Sequence, residues 1–418
     1  MAAAGPASSA APGVNLLARV CLPFLAGYFL SYVYRAVNAV LGPQLAGEFS
    51  LSAADLGLLT GAYFFACGLA QIPLGVLLDR FGPRRTDACL LLVAAAGAAL
   101  FATADSFGGL FLGRALIGLG VSAALMACFQ AFVLWYPAER FGTMIAIAYS
   151  AGAIGAMTVS VPFEFALRVM DWRTIFWVFI AATLVASAVL FLVVPERRFA
   201  SGNESFALQL RGLARITRDP GFWRIAVAIG TTQCAAISTF TLWMGTWQRD
   251  VAGLDRGAVA QAFFLCAFAL MLGYLFFGRV ADSLVRHGHS VTPLFVGGLS
   301  VASLCLLLLV FGVTTGSVLT WSAFTFCATA ATLAHSITSR RYPREMAGRV
   351  NTALNMFTFI GIFAGQWGVG AVLARWPATA NGYAAEGYFF GLGVLWLVQA
   401  AGLAWLWSGR SLLKDRPV

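Results

Sequence analysis

"GVLLDRFGPRR", Gly75–Arg85, packs Asp79, Arg80, Arg84 and Arg85 into seven positions between two apolar runs. The run before it ends in "LAQIPL"; the run after it reads "ACLLLVAAAGAALFA". A helix of about 20 apolar residues crosses a bilayer core, so the charged stretch reads as a short loop between two membrane helices. The same alternation continues along the chain. Its 418 residues are 60% hydrophobic and 11% charged, against about 25% charged in an ordinary soluble domain. That much apolar surface does not fit inside a soluble core of this size, and the chain reads as an integral membrane protein. Twelve candidate spans follow, at about 17–40, 55–78, 86–104, 108–134, 142–168, 173–194, 222–247, 257–278, 291–312, 316–338, 346–373 and 386–408. Alternating strands of about ten residues, the mark of a membrane barrel, are absent.

The net charge of +10 is not gathered into one patch of the kind that binds nucleic acid. Basic residues fall in short loops, which is a topology signal. With both termini cytoplasmic, Arg80, Arg84, Arg85, Arg140, Arg279 and Arg344 are among many inside, whereas Arg168, Arg173, Arg249, Arg256 and Arg375 lie outside. The eight cysteines sit singly in apolar runs without a CxxC, and His287, His289 and His335 make no metal-ligand spacing with them. They read as small buried hydrophobes. No metal, cofactor or nucleic-acid partner is expected. The first fifteen residues lack the basic region of a signal peptide.

Two pairs of segments show an internal repeat. "YPAERFG" begins at Tyr136, after span 4, and "YPREMAG" at Tyr342, after span 10, 206 residues later. "GVLLDR" follows span 2 and "GRVADS", from Gly278, follows span 8, 203 residues later. Both offsets move six spans along. The expected organisation is a first six-helix bundle over 1–194, a linker over 195–221 and a second bundle over 222–418. In the linker, Phe206, Leu210, Leu213 and Ile216 recur at helical spacing opposite Arg211, Arg215 and Arg218, as in an amphipathic helix on the inner leaflet.

With these features the sequence resembles the major facilitator superfamily of secondary transporters, over nearly its whole length. Gly75, Asp79, Arg80, Gly82, Arg84 and Arg85 match the family's loop signature G-x-x-x-D-R-x-G-R-R. "GRALIGLG", with Arg114, Gly118 and Gly120, resembles a second signature in span 4. In the second half Gly278 and Asp282 remain, but Ser283 replaces the arginine. The resemblance implies an all-α fold of two pseudo-symmetric six-helix bundles that rock about a central cavity lined by spans 1, 4, 7 and 10. It also implies a gating role for the loop charges, with Glu139 as a further carboxylate on that side; plain positive-inside topology is the competing reading.

Charge inside a span is costly and needs a partner or a purpose. In "GYFLSYVYRAVN", Tyr28, Tyr32, Arg35 and Asn38 fall on one helical face. Arg35 and Arg114 both lie about 9–10 Å outward of their span midpoints at 1.5 Å per residue. Two arginines at one level suit a carboxylate or phosphate clamp. Two competing roles stay open: an internal pair of Arg35 with Glu164, and a structural role for Arg114. Gln130, Gln233, Thr241, Asn351 and Asn355 are further polar candidates, as are Tyr63 and Gln71; each also suits an interhelical hydrogen bond. Glu164, taken as the only acid inside a span, and His335 are the candidates for proton coupling.

The expected function is import of a small organic anion across a bacterial inner membrane by a monomeric carrier, with or without proton symport. The alternative is a drug or metabolite exporter. Exporters that exchange protons usually carry, in this family, a Gly-Pro signature in span 5. Here "YSAGAIGAMTVSVP" has Gly152 and Gly155 without it. No GxxxxGK[ST], HExxH or Ser-His-Asp context points to an enzyme.

Overall fold

Gly82 is where the Gly75–Arg85 loop turns. It adopts φ 79° and ψ 165° inside the otherwise helical element Ala53–Ala102. A side chain at that φ is strained, and glycine removes the strain. The Thr86 hydroxyl donates to the Leu77 carbonyl at 3.0 Å, so the two arms meet across the turn. Spans 2 and 3 are thus one 50-residue element folded back on itself. The face that carries this turn is called the inner face below. A computed structural model describes residues 15–137, 140–197, 214–312, 318–342, 347–377, 379 and 382–409.

Among those residues, ten helices are long and apolar enough to cross a membrane. Ala53–Ala102 supplies two spans. Span 10 runs as Val318–Ala328, Thr329–Thr332 and Leu333–Arg341, a helix interrupted by a tighter turn. With it the spans number twelve. Span 1 is Leu22–Ala36 continued by Asn38–Glu48. Span 4 is Phe107–Val121 continued by Ala124–Trp135, and span 5 is Phe141–Thr158 continued by Val161–Val169. Span 6 is Trp172–Val193. Span 7 is Pro220–Ser238 continued through Thr239–Trp243 to Asp250. Spans 8, 9, 11 and 12 are Arg256–Arg286, Thr292–Val310, Ala347–Leu373 and Ala385–Ser408.

The repeated tyrosines take matching places. Tyr136, after span 4, reaches Cys21 at the start of span 1. Tyr342, after span 10, donates its hydroxyl to Asp219 at 2.6 Å, at the start of span 7. Of the expected linker helix, Phe206, Leu210 and Leu213 lie outside the described residues, as does Glu139. Ile216 is fully buried with Phe222 and Ile225 in the second bundle, so it packs on protein.

The halves meet toward the outer face. One hydrophobic core runs through both, from Tyr63 and Trp172 to Trp247 and Trp321. At the inner end the second bundle has its own cluster, which includes Ile216, Phe295 and Leu354. At the outer end spans 2 and 11 cross backbone to backbone. A Cβ on Gly57 would sit 2.5 Å from the Gln366 carbonyl oxygen, and one on Gly370 would meet the Ala53 carbonyl. Overpacking such a contact is destabilising by about 1–3 kcal/mol. Gly370→Leu should therefore prise the outer ends apart. Spin labels at Asp105 and Arg375, exposed loop positions in opposite halves, should move to longer distances; an unchanged distance distribution speaks against this seal.

Asp219 caps span 7 and ties it to span 10. Its carboxylate accepts from Arg341 Nε at 3.0 Å, the Tyr342 hydroxyl at 2.6 Å and the Gly221 N–H at 2.9 Å. Partial burial pushes the carboxyl up, but these donors outweigh it and hold it at about 2. An unfolded Asp titrates near about 3.9, so its contribution is present above that pH and is lost as pH falls from about 4 to about 2. Asp219→Asn should lower the melting temperature in detergent at pH 7, and the gap to wild type should close toward pH 2–3.

Candidate functional site

A cavity lies between the bundles, with about 80 Å³ open to the centres of water molecules. That holds several waters or a small solute. Its walls include Tyr28, Tyr32, Arg35 and Gln71 from the first half, and Gln233, Tyr274, His335 and Asn355 from the second. The stripe read from span 1 thus faces the cavity through its first three members. Tyr149, from span 5, completes an aromatic wall. It stacks on Tyr274 with centroids 4.7 Å apart. Tyr28 meets Tyr32 edge-on at 5.3 Å. The Tyr32 and Tyr274 hydroxyls share a hydrogen bond of 3.1 Å between the halves.

Arg35 carries the charge of this site. Its guanidinium lies 4.4 Å over the Tyr32 ring, 5.9 Å from Phe359 and 6.0 Å from Tyr63. Rings offer it partial compensation through their quadrupoles. Among the described residues no carboxylate pairs with it, and its Nε has no hydrogen-bond partner. The expected competitor, Glu164, is engaged elsewhere. Its oxygens lie 3.7 Å from Arg168 and 3.5 Å from Arg256, the latter in the other half.

The clamp of two arginines does not form. Arg114 is fully buried and donates to the Tyr34 carbonyl at 2.7 Å. Its guanidinium is 5.3 Å from the Tyr63 ring. Both arginines lie near that ring, but Arg35 is on the cavity wall and Arg114 is not.

The other polar candidates divide in two. Gln233 and Asn355 line the cavity and have no protein hydrogen-bond partner among the described residues. Asn38 is turned away and donates to Thr60 at 2.9 Å. Thr241 accepts from Gln366 at 2.6 Å. Gln130 donates to Asp79 at 3.3 Å on the inner face. Asn351 sits 3.2 Å from His335 Nδ1, which places it beside a wall residue.

The loop charges engage the first bundle. Arg84 donates to the Phe191 carbonyl at 3.0 and 2.6 Å, and Arg85 reaches Glu196 at 2.8 Å. Arg80 lies over Phe81 at 5.3 Å. Gly75 is within the span 2 helix. Asp282 is exposed.

Three residues were missed. Tyr149 and Tyr274 stood singly in apolar runs, without a polar stripe to mark them. Asp87 corrects the reading of Glu164 as the only acid inside a span. It lies two residues past the loop cluster, yet it is fully buried, and neither carboxylate oxygen has a hydrogen-bond partner. It packs against Gly27, away from the cavity.

The two arginines should separate in ligand-free melting curves. Arg114→Gln loses a charge-assisted bond worth about 1.5–3 kcal/mol and should melt earlier. Arg35→Gln removes a charge that lacks a carboxylate partner and should melt at or above wild type. Equal losses in both speak against the division.

The family model described as Major Facilitator Superfamily matches residues 24–366. The chain is 24% identical to the D-galactonate transporter of Escherichia coli O6:H1, over 95% of each chain. It is 35% identical over 129 residues to the nitrate/nitrite transporter NrtP of a Picosynechococcus strain, a match to 31% of this chain and 24% of that protein. Its fold is that of the crystal structure of a D-xylose-proton symporter, with TM-score 0.74, 15% identity, and coverage of 96% of this chain and 99% of that one. The chain belongs to the Major Facilitator Superfamily; it is a multi-pass membrane transporter and not an enzyme.

Proposed function

We propose that this transporter imports a small organic anion across a bacterial inner membrane by alternating access, with both termini cytoplasmic and the anionic group held at Arg35. The observation that carries this reading is a guanidinium on the cavity wall without a carboxylate partner among the described residues. A charge at that depth is retained for a purpose, and a guanidinium offers a planar pair of donors that fits a carboxylate or phosphate. The substrate named for the full-length relative, D-galactonate, is such an anion.

The seal at the outer face fits the same mechanism. The Tyr32–Tyr274 bond and the Glu164–Arg256 pair both join the halves. Each is made with the outer side closed and must break when it opens, so each weights the population of the two states. Glu164 then serves the seal. His335, on the cavity wall beside Asn351, is the remaining candidate for a proton site. The Arg84 and Arg85 contacts brace the first bundle as it moves.

Uptake of radiolabelled D-galactonate and of a panel of small carboxylates and phosphates into proteoliposomes tests the reading. Arg35→Gln should cut uptake of the accepted anion roughly 30-fold or more, as expected when one partner of a buried charge pair is removed. Arg35→Lys should fall between, since it keeps the charge but not the fork. Undiminished uptake by Arg35→Gln contradicts the proposal.

A further inference from the structure

We infer that Gln71 determines specificity by accepting a hydrogen bond from the substrate, so that the cargo is a hydroxylated carboxylate and not a plain carboxylate or a nitrate-like oxyanion. This rests on the anion lying at Arg35. Gln71 is on the cavity wall and is 1% exposed. Its Nε2 donates to the Cys67 carbonyl at 3.1 Å, and its Oε1 has no partner. A carbonyl only accepts, so the reversed amide would set two oxygens against each other. Cys67 therefore fixes the polarity of Gln71: nitrogen to the helix, oxygen left for a ligand.

An ionised carboxylate and nitrate carry no hydrogen-bond donor, whereas a hydroxyl does. Bound against Gln71, either anion leaves the acceptor unfilled; a hydroxyl fills it. The hydroxyls of Tyr28 and Tyr149, which have no protein partner among the described residues, face the same cavity but rotate to donate or accept. They do not discriminate; Gln71 does. The geometry also orders the ligand. Tyr63, Cys67 and Gln71 follow at intervals of four on one face of span 2. Tyr63 lies 6.0 Å from Arg35, and Gln71 is two turns further toward the inner face, about 12 Å along the axis. A carboxylate at Arg35 thus leaves a short hydroxylated chain running inward past Cys67 to Gln71.

Isothermal titration of the purified full-length protein with D-galactonate, D-gluconate, L-lactate, hexanoate, propionate, nitrate and D-galactose tests this. The best hydroxy acid should bind at least about ten-fold more tightly than the unhydroxylated acid of equal length, because a site built to bond a hydroxyl rejects the analogue lacking it. In Gln71→Leu the hydroxy acid should weaken about ten-fold, the loss of one hydrogen bond with its orphaned partner, and the ratio should fall toward one. Hexanoate, propionate or nitrate binding as tightly as the hydroxy acids, or an unchanged ratio in Gln71→Leu, overturns the inference while leaving the anion at Arg35 standing. Should Gln71→Leu fail to fold, the wild-type ratio alone decides. D-galactose binding as tightly as D-galactonate, with Arg35→Gln indifferent to the acid, overturns the anion reading itself. No binding by any member of the panel contradicts both.

Discussion

A full positive charge stands at Arg35, deep among twelve apolar spans, with aromatic rings around it and, among the described residues, no carboxylate beside it. In a membrane interior such a group is tolerated only when it faces a cavity or a partner. The protein supplies the cavity, and on the proposed reading the ligand supplies the partner. The tyrosines of spans 1, 5 and 8 follow from that requirement. The Tyr32 ring lies under the guanidinium, and the hydroxyls of Tyr28 and Tyr149 have no protein partner among the described residues.

On the proposed reading Tyr32 links recognition to movement. Its ring carries the Arg35 guanidinium, and its hydroxyl bonds Tyr274 in the opposite bundle. A ligand that pulls the guanidinium off the ring acts directly on a residue of the seal between the halves. The rest of that seal is built from backbone approach and one ion pair. Gly57 and Gly370 let spans 2 and 11 touch, and Glu164 reaches across to Arg256. Backbone contacts of that kind are either made or broken, which suits a switch between two states better than a graded motion. At the inner face the second bundle keeps a core of its own, which suits a separation of the two bundles there.

Much of the fold was legible because its determinants are local. Apolar run lengths gave the spans, and the charges of Gly75–Arg85 between two apolar runs marked the loop between spans 2 and 3. The matched tyrosines at 136 and 342 marked the duplication, and the structure gives both the same task at the start of a bundle. The site was legible in part. Tyr28, Tyr32 and Arg35 stood on one face of one helix, which periodicity reveals. Arg114 stood at the right depth, but depth does not report azimuth, and its guanidinium is turned to the Tyr34 carbonyl, off the cavity wall. Asn38 and Thr241 found partners on spans 2 and 11, contacts that no single-helix pattern contains. Asp87 is the second residue of the expected span 86–104 and stands beside Arg84 and Arg85, and no pattern in the sequence singled it out.

The most direct test is a structure determined with a bound hydroxy acid, such as D-galactonate or D-gluconate. The expected result is a carboxylate within hydrogen-bond distance of the Arg35 guanidinium, with the chain directed toward the inner face. A carboxylate held at Arg114 or His335, with Arg35 still resting on the Tyr32 ring, would contradict the central claim.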